Sequence, residues 1–276
     1  MLSEILNQYR GKIEKRLYLG YVRWETLINR LKKEQNSQKP ISDEQIWTFI
    51  MACGYAIAGK DGIAKLSHLM TGQDQVLNDD SKIRLEVLPF PPRMKEGNTH
   101  LDLALGALKK RDGKRSGIKF DQEAPSWICF CEMKWFSDIS HGVTNDIERN
   151  QLIRVIENAI TFQANDQYPE NVFVTLITPQ KFQESNICSR LYHYKFKEYK
   201  SGVAPRKGHD LMFKEIEQCQ LQPRKTYPDK DIIQKRLTNL NLNWVSYETL
   251  FDNLPSSEIY QAIAGFWESN KGSALN

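Results

Sequence analysis

Apolar residues recur at helical spacing in the first quarter of the chain. Residues 2–35 carry one such pattern, and a second follows over residues 42–58, where Ser42 and Gln45 have the spacing of a capping box. The segment NSQKP separates the two patterns, and GKDG, residues 59–62, ends the second. The sequence therefore predicts a mainly helical part over residues 1–75.

The pattern then changes to short apolar runs bounded by prolines, glycines and polar turns. Strands are predicted within residues 82–92, 99–108, 126–136, 171–179 and 242–251. Helices are predicted over residues 145–163, about five turns long, and over residues 256–270. Residues 109–125 are polar and contain glycine, so we expect a turn or loop there.

The order of strand, strand, strand, helix and strand is typical of an α/β protein. We expect a mixed central β-sheet flanked by helices on both sides. The helical N-terminal part, residues 1–75, should pack on this core, and residues 76–276 should form the core together with C-terminal helices.

Composition and charge narrow the class of protein. The chain has 276 residues, of which 40% are hydrophobic and 26% charged, as in ordinary globular proteins. Its net charge of +4 permits nucleic-acid binding without requiring it. The N-terminal segment is charged, and no run approaches the roughly 20 apolar residues of a membrane span. The five cysteines are scattered, so we expect a cytoplasmic protein with reduced thiols in its core.

Two charged residues stand out at the end of an otherwise apolar strand, residues 126–136. Side chains alternate across a strand, so Glu132 and Lys134 should lie on one face, opposite Trp127 and the cysteines. In the strand over residues 99–108, the same alternation places Asp102 on the face of His100. If the two strands are neighbours with their polar ends aligned, Asp102 and Glu132 converge.

Converging carboxylates in apolar surroundings repel each other and lose hydration, and a bound divalent cation removes both problems. Ligation by oxygen alone favours Mg²⁺ or Mn²⁺ over Zn²⁺. Lys134 would then stabilise charge on a phosphate or hold an attacking water. The three residues together indicate metal-assisted hydrolysis of a phosphodiester.

Asp102, then about thirty residues, then Glu132-Met133-Lys134 on an apolar strand and a following helix, resembles the PD-(D/E)xK nuclease superfamily. The resemblance covers about residues 83–178 and implies a restriction-endonuclease-like core. It implies that Asp102 and Glu132 hold the metal and that Lys134 assists catalysis. No proline stands immediately before Asp102, which follows Thr99-His100-Leu101, and this departs from the motif. An additional acidic residue from the N-terminal part is open between Glu25, Glu44 and Glu86.

The helix after this motif carries a polar side opposite its apolar stripe of Leu152, Ile153, Ile156 and Ile160. Some members of the superfamily similarly place a Gln or Asn from this helix at the site. Gln151 is therefore assigned a supporting role, with Asn150 as the next candidate. The alternative for each is an ordinary solvated helix face.

Other signals have simpler interpretations. Residues 54–61 nearly match a phosphate-binding loop, but Asp61 replaces the Ser or Thr and no strand precedes them, which favours a helix end. Cys129 and Cys131 lack a second pair at zinc spacing and indicate core packing. His141 is more typical of a loop residue than of a phosphate contact, and His100 is a minor candidate for the site. The basic run over residues 109–115 is typical of a solvated hairpin tip, although it would suit phosphate contacts.

We therefore expect a Mg²⁺- or Mn²⁺-dependent endonuclease that cuts double-stranded DNA, in restriction, phage defence or mobile-element biology. Cleavage of both strands needs two active sites, which favours a homodimer. The competing hypothesis is a catalytically inactive DNA-binding or protein-interaction module, in which the charged residues form a structural ion pair.

Overall fold

The computed structural model describes residues 1–37, 41–97, 99–139, 149–183 and 190–275. Its N-terminal part contains five helices and one strand. These elements are α1 Leu2–Gln8, α2 Arg10–Ile13, β1 Leu17–Leu19, α3 Trp24–Gln35, α4 Glu44–Ile57 and α5 Gly59–Thr71.

The next part of the chain contains most of the strands and one helix, α6. In chain order its elements are β2 Ile83–Val87, β3 Leu101–Gly106, β4 Leu108–Lys110, β5 Ile118–Phe120, β6 Trp127–Met133, α6 Gln151–Ile160 and β7 Asn171–Thr178. After a short 3-10 turn at Gln180–Phe182, the C-terminal elements are α7 Leu191–Ser201, α8 Gly208–Glu217, α9 Lys230–Thr238, β8 Leu240–Ser246, α10 Tyr247–Asp252 and α11 Tyr260–Leu275.

Six strands form the central sheet in the order β1-β2-β3-β6-β7-β8. Strand β3 is antiparallel to both of its neighbours, whereas the pairs β1–β2, β6–β7 and β7–β8 are parallel. Strands β4 and β5 form a separate antiparallel hairpin. The predicted mixed α/β architecture with a helix-flanked sheet is confirmed.

Each face of the sheet has its own hydrophobic core. Cys129, Cys131 and Met133 of β6 belong to the core shared with the N-terminal helices and α11. Ile128 and Phe130 belong to the opposite core, which contains the apolar side of α6 and parts of α7, α8 and α9. The predicted alternation along β6 is thus confirmed, and burial on both faces explains why this strand tolerates so few polar residues.

Strand β1 was not predicted, because the apolar residues around it fit helical spacing. It forms parallel pairs with β2, so a segment of the N-terminal part completes the sheet edge. Gly20 ends β1 where a Cβ atom would lie only 2.3 Å from the carbonyl oxygen of Glu86. Close approach of the two backbones therefore requires glycine at this position.

Several predicted boundaries shift for local reasons. Asp43 rather than Ser42 caps α4, accepting from the backbone N–H groups of Gln45 and Ile46. The segment GKDG opens helix α5 as well as following α4. Within the described residues α6 begins at Gln151, capped by Asn150, so it is shorter than the predicted helix. The predicted loop over residues 109–125 contains the hairpin strand β5 and the end of β4.

Candidate active site

The antiparallel register of β3 and β6 brings Asp102 beside Glu132. Leu103 pairs with Cys131 and Ala104 with Phe130, so the next step of the register sets Asp102 opposite Glu132. Asp102 Oδ2 accepts a hydrogen bond of 2.7 Å from the backbone N–H of Met133. The two carboxylates therefore meet at the end of the sheet where β6 stops.

Lys134 follows β6 directly and lies between two carboxylates. Its Nζ is 2.5 Å from Glu132 Oε1 and 3.5 Å from Glu44 Oε1. The other oxygen of Glu44 accepts from the backbone N–H of Trp135 at 2.7 Å. Glu44, in the first turn of α4, is thereby held against the end of β6 by the packing of the N-terminal helices on the sheet.

Glu86 reaches the same region from β2. Gln45 Nε2 donates to Glu86 Oε1 at 2.5 Å, which links Glu86 to the helix that carries Glu44. The backbone of Glu86 has φ of 52°, a left-handed conformation that is unusual for a non-glycine residue inside a strand. Such strain is typical of functional positions, where the surrounding structure enforces it.

Electrostatic interactions couple these side chains. Burial and the neighbouring charge of Glu132 raise the pKa of Asp102 well above its ordinary value, against the attraction of Lys134. Burial also raises the pKa of Glu132 and of Glu86. Burial disfavours the charged form of Lys134, but Glu132, Asp102 and Glu44 outweigh this and raise the pKa of Lys134. One lysine thus faces an excess of carboxylates.

The buried Glu132 carboxylate depends on Lys134 for its charge compensation. Glu132 is only 1% exposed, and its Oε1 lies 2.5 Å from Lys134 Nζ. Burial raises the pKa of Glu132, and the charge of Lys134 opposes that rise. Moving the ammonium away would therefore leave a buried carboxylate without its counter-ion, which is costly unless a cation or a proton replaces it.

The donor set fits a divalent cation only in part. Asp102 and Glu132 provide adjacent hard oxygen ligands of the kind that Mg²⁺ prefers. In the described ranges, however, no three His, Cys, Asp or Glu side chains are grouped closely enough to hold a metal as they stand. Binding would require Glu132 to turn from Lys134, with waters or a phosphate completing the coordination.

Arg154 of α6 is a charged residue near the site whose role the sequence did not reveal. Burial is the main influence on the pKa of both Glu132, which it raises, and His100, which it lowers. The positive charge of Arg154 acts to lower both pKa values. Arg154 Nε donates to Glu96 Oε1 at 3.2 Å, and its Nη2 donates to the Glu96 carbonyl at 3.1 Å. The guanidinium is therefore fixed in place close to the carboxylates.

A buried ion-pair network holds Glu96 in position. Arg149 contacts both Glu96 and Glu157, and Arg93 Nε lies 2.8 Å from Glu157 Oε1. All four side chains are nearly inaccessible to solvent. Arg93 also donates to backbone carbonyls of residues 216 and 221, so the network ties α6 to the C-terminal helices.

The polar side of α6 is therefore largely buried, not solvated. Asn150 caps the helix and donates to Tyr199 and Glu215, and Asn158 donates to the Arg154 carbonyl. The solvated-face alternative is wrong for Asn150, which is buried. Gln151 is the first residue of α6 and is partly buried, and its supporting role stays a prediction.

The remaining candidates are now placed. Glu25 is exposed and pairs with Arg10, whereas Glu44 and Glu86 both face the site. His100 is partly buried beside the exposed ring of Tyr21. His141 lies outside the described residues. The approach of Glu44 to Lys134 could be found only from packing, because Glu44 is ordinary in sequence as a first-turn helical glutamate.

None of the described helices combines the length and apolar character that crossing a bilayer requires. Comparison with protein-family models, with curated proteins and with solved structures finds no match to this chain.

Proposed function

We propose that the chain is a divalent-metal-dependent nuclease of the PD-(D/E)xK type that hydrolyses DNA phosphodiester bonds. The observation that carries the proposal is the pair of Asp102 and Glu132 at adjoining strand ends, with Lys134 beside them. Strands β2, β3 and β6, helix α6 and strand β7 follow the strand and helix order expected for a restriction-endonuclease-like core. Glu44 and Glu86 supply further negative charge around the site.

Each residue has a defined task in this proposal. Asp102 and Glu132 would hold Mg²⁺ or Mn²⁺, which supplies charge neutralisation at the phosphate and a more acidic water. Lys134, protonated because carboxylates surround it, would donate to the attacking water or to the phosphate oxygens. Glu44 orients the Lys134 ammonium through its contact at 3.5 Å. Arg154 adds fixed positive charge beside Glu132.

Double-stranded DNA is the substrate we propose, and restriction, phage defence or mobile-element biology is the setting. Both rest on the resemblance to the superfamily and not on physical features of the site. A homodimer would supply the two active sites that cutting both strands requires. The cytoplasm is the proposed compartment, in agreement with the buried free thiols of Cys53, Cys129 and Cys131.

An inactive module on the same fold is the second candidate function. The observation that favours it is the mutual satisfaction of the charged groups. Asp102 accepts from Met133, and Lys134 is shared by Glu132 and Glu44, which is how a structural ion-pair cluster would look. On this hypothesis the chain binds DNA or a protein without cutting.

Incubation with supercoiled plasmid tests the two candidates against each other. We expect nicking or linearisation that requires Mg²⁺ or Mn²⁺ and falls at least about 100-fold in Lys134→Ala, as for loss of a residue that stabilises transition-state charge. Lys60→Ala is the matched control, because Lys60 pairs with Asp79 on the exposed surface. Equal cutting by wild type and Lys134→Ala would reject the assignment of the site.

A further inference from the structure

An exposed phenylalanine, Phe90, is flanked by two arginines on the side of the sheet that α6 covers. Phe90 is 52% exposed, although phenylalanine is normally buried. The guanidinium carbons of Arg111 and Arg224 lie 5.2 Å and 4.8 Å from its ring centroid. Arg111 belongs to the basic run of the β4–β5 hairpin, which no part of the catalytic proposal uses.

The two guanidiniums repel each other without a compensating carboxylate. Burial and the charge of Arg224 lower the pKa of Arg111, and Nη1 of Arg111 is buried without an acceptor. Arg224 Nε donates to the Pro91 carbonyl at 2.9 Å. Among the residues that the structure describes, neither arginine forms an ion pair with an acidic side chain. Two adjacent guanidiniums without acidic partners form a site for an anion that accepts from both, such as a phosphate.

A cavity of about 280 Å³ opens beside Arg111. Its walls include the rings of Phe90, Phe162 and Tyr227, together with Lys119, and within the described ranges no acidic residue lines it. This volume is at the small end of ligand pockets and suits one flat ring rather than a base pair. An unpaired nucleotide matches both the cavity and the arginines, because its base can pack against the aromatic walls while its phosphate accepts from the guanidiniums.

The position along the chain connects this feature to the candidate active site. Phe90 follows Glu86 by four residues, so their Cα atoms are at most about 14 Å apart. Phosphates on one DNA strand advance by about 3.4 Å along the helix axis per nucleotide. With the side chains included, a strand bound at the carboxylates therefore reaches the arginines within one turn of DNA, about 34 Å.

We propose that Phe90, Arg111, Arg224 and the adjoining cavity bind an unpaired nucleotide of the DNA, so that the chain prefers ends or junctions with a single-stranded extension over fully paired duplex. The proposal rests on the proposed nuclease function, since it specifies the form of DNA that this function uses. Its chemistry is a phosphate held by two guanidiniums and a base enclosed by aromatic side chains.

Binding measured without divalent metal tests the proposal independently of cleavage. Fluorescence anisotropy compares the full chain on a blunt duplex and on the same duplex with a three-nucleotide single-stranded extension. We expect the extension to tighten binding by about tenfold, a typical effect of stacking one base. Arg111→Gln and Phe90→Leu should remove this preference while leaving thermal unfolding unchanged.

Lys114→Gln is the matched control, because Lys114 is an exposed cation on the same hairpin and does not line the cavity. Lys114→Gln should keep the preference for the single-stranded extension and should weaken binding to both duplexes equally. Equal wild-type affinity for the two duplexes would overturn the proposal, as would an equal loss of preference in Lys114→Gln and Arg111→Gln.

Free dAMP identifies the source of the nucleotide. If dAMP binds the wild type but not Arg111→Gln, while the extension adds no affinity, the pocket takes free nucleotides and the strand assignment is wrong. Because cleavage is not measured, an inactive chain can pass this test and an active nuclease can fail it.

Discussion

Asp102→Asn should stabilise the folded chain in the absence of metal, although it should abolish activity. Asp102 and Glu132 are adjacent carboxylates in a desolvated region, and the pKa of each is raised. Asparagine removes one charge and keeps an oxygen that can accept from the Met133 N–H. If Asp102 holds the proposed cation, it is thus expected to lower the stability of the fold until that cation binds.

The magnitude follows from the geometry of the strand pair. Opposed residues in an antiparallel pair have Cβ atoms about 5 Å apart. At an effective dielectric constant of 20, two unit charges at that distance repel by about 3 kcal/mol. The lost attraction to Lys134 and the weaker hydrogen bond from Met133 offset part of this, the latter by about 1 kcal/mol. We expect a net stabilisation of about 1–2 kcal/mol near pH 8.

The pH dependence of this stabilisation has a definite sign. Because the pKa of Asp102 is raised in the folded state, the folded chain keeps a proton that the unfolded chain has released. The free energy of unfolding of the wild type therefore falls as the pH rises from about 3.9, the ordinary aspartate value, through the raised pKa. The variant lacks this dependence, so its advantage should be smallest in acid and largest in alkaline solution.

Urea unfolding of both proteins from pH 5 to 8.5, with and without Mg²⁺, measures the effect. Mg²⁺ at 100 times its dissociation constant should stabilise the wild type by about 2.7 kcal/mol and the variant much less. Asp79→Asn is the control, since Asp79 is exposed and pairs with Lys60. A variant that is less stable than the wild type at pH 8 without metal would refute the reasoning and favour the structural ion-pair hypothesis.

Three further predictions concern the surroundings of the site. Glu44→Gln, which removes one carboxylate from Lys134, should reduce plasmid cleavage at least tenfold with little change in thermal unfolding. Arg149→Leu, which takes the shared cation from two buried carboxylates, should lower the free energy of unfolding in urea by about 3–5 kcal/mol. Gly20→Ala should lower it by about 1–3 kcal/mol and reduce cleavage as well, because the new Cβ would press on the Glu86 backbone.

Matched variants separate these effects from general damage. Glu25→Gln removes an exposed glutamate distant from Lys134 and should leave cleavage unchanged. Gly11→Ala adds a Cβ that meets nothing within 4 Å, so it should not destabilise the fold. Full activity in Glu44→Gln would remove Glu44 from the site. A decrease of less than about 1 kcal/mol in the free energy of unfolding of Arg149→Leu would contradict the importance of the network, because breaking an exposed ion pair costs up to about that much.

Local periodicity determined a large part of this protein. The alternation along residues 127–133 and 101–106 was sufficient to separate Glu132 from the cysteines and Asp102 from its leucine neighbours, because side-chain direction in a strand repeats every two residues. That the two carboxylates share one face followed only from the pairing of β3 with β6. The strand and helix order likewise predicted a mixed sheet with helices on both sides. These features depend on neighbours in sequence, which a pattern can report.

Tertiary structure alone decided the rest of the site and its support. Glu44 and Glu86 approach Lys134 and Asp102 only because α4 packs against the end of β6 and β2 pairs with β3. The sequence left the polar side of α6 open between a role at the site and solvation, and only the structure shows that Arg154 is buried against Glu96, a residue 58 positions earlier in the chain. Strand β1 exists because an adjacent edge accepts its backbone hydrogen bonds. In each case the deciding partner is remote in sequence, and no local pattern records such a partner.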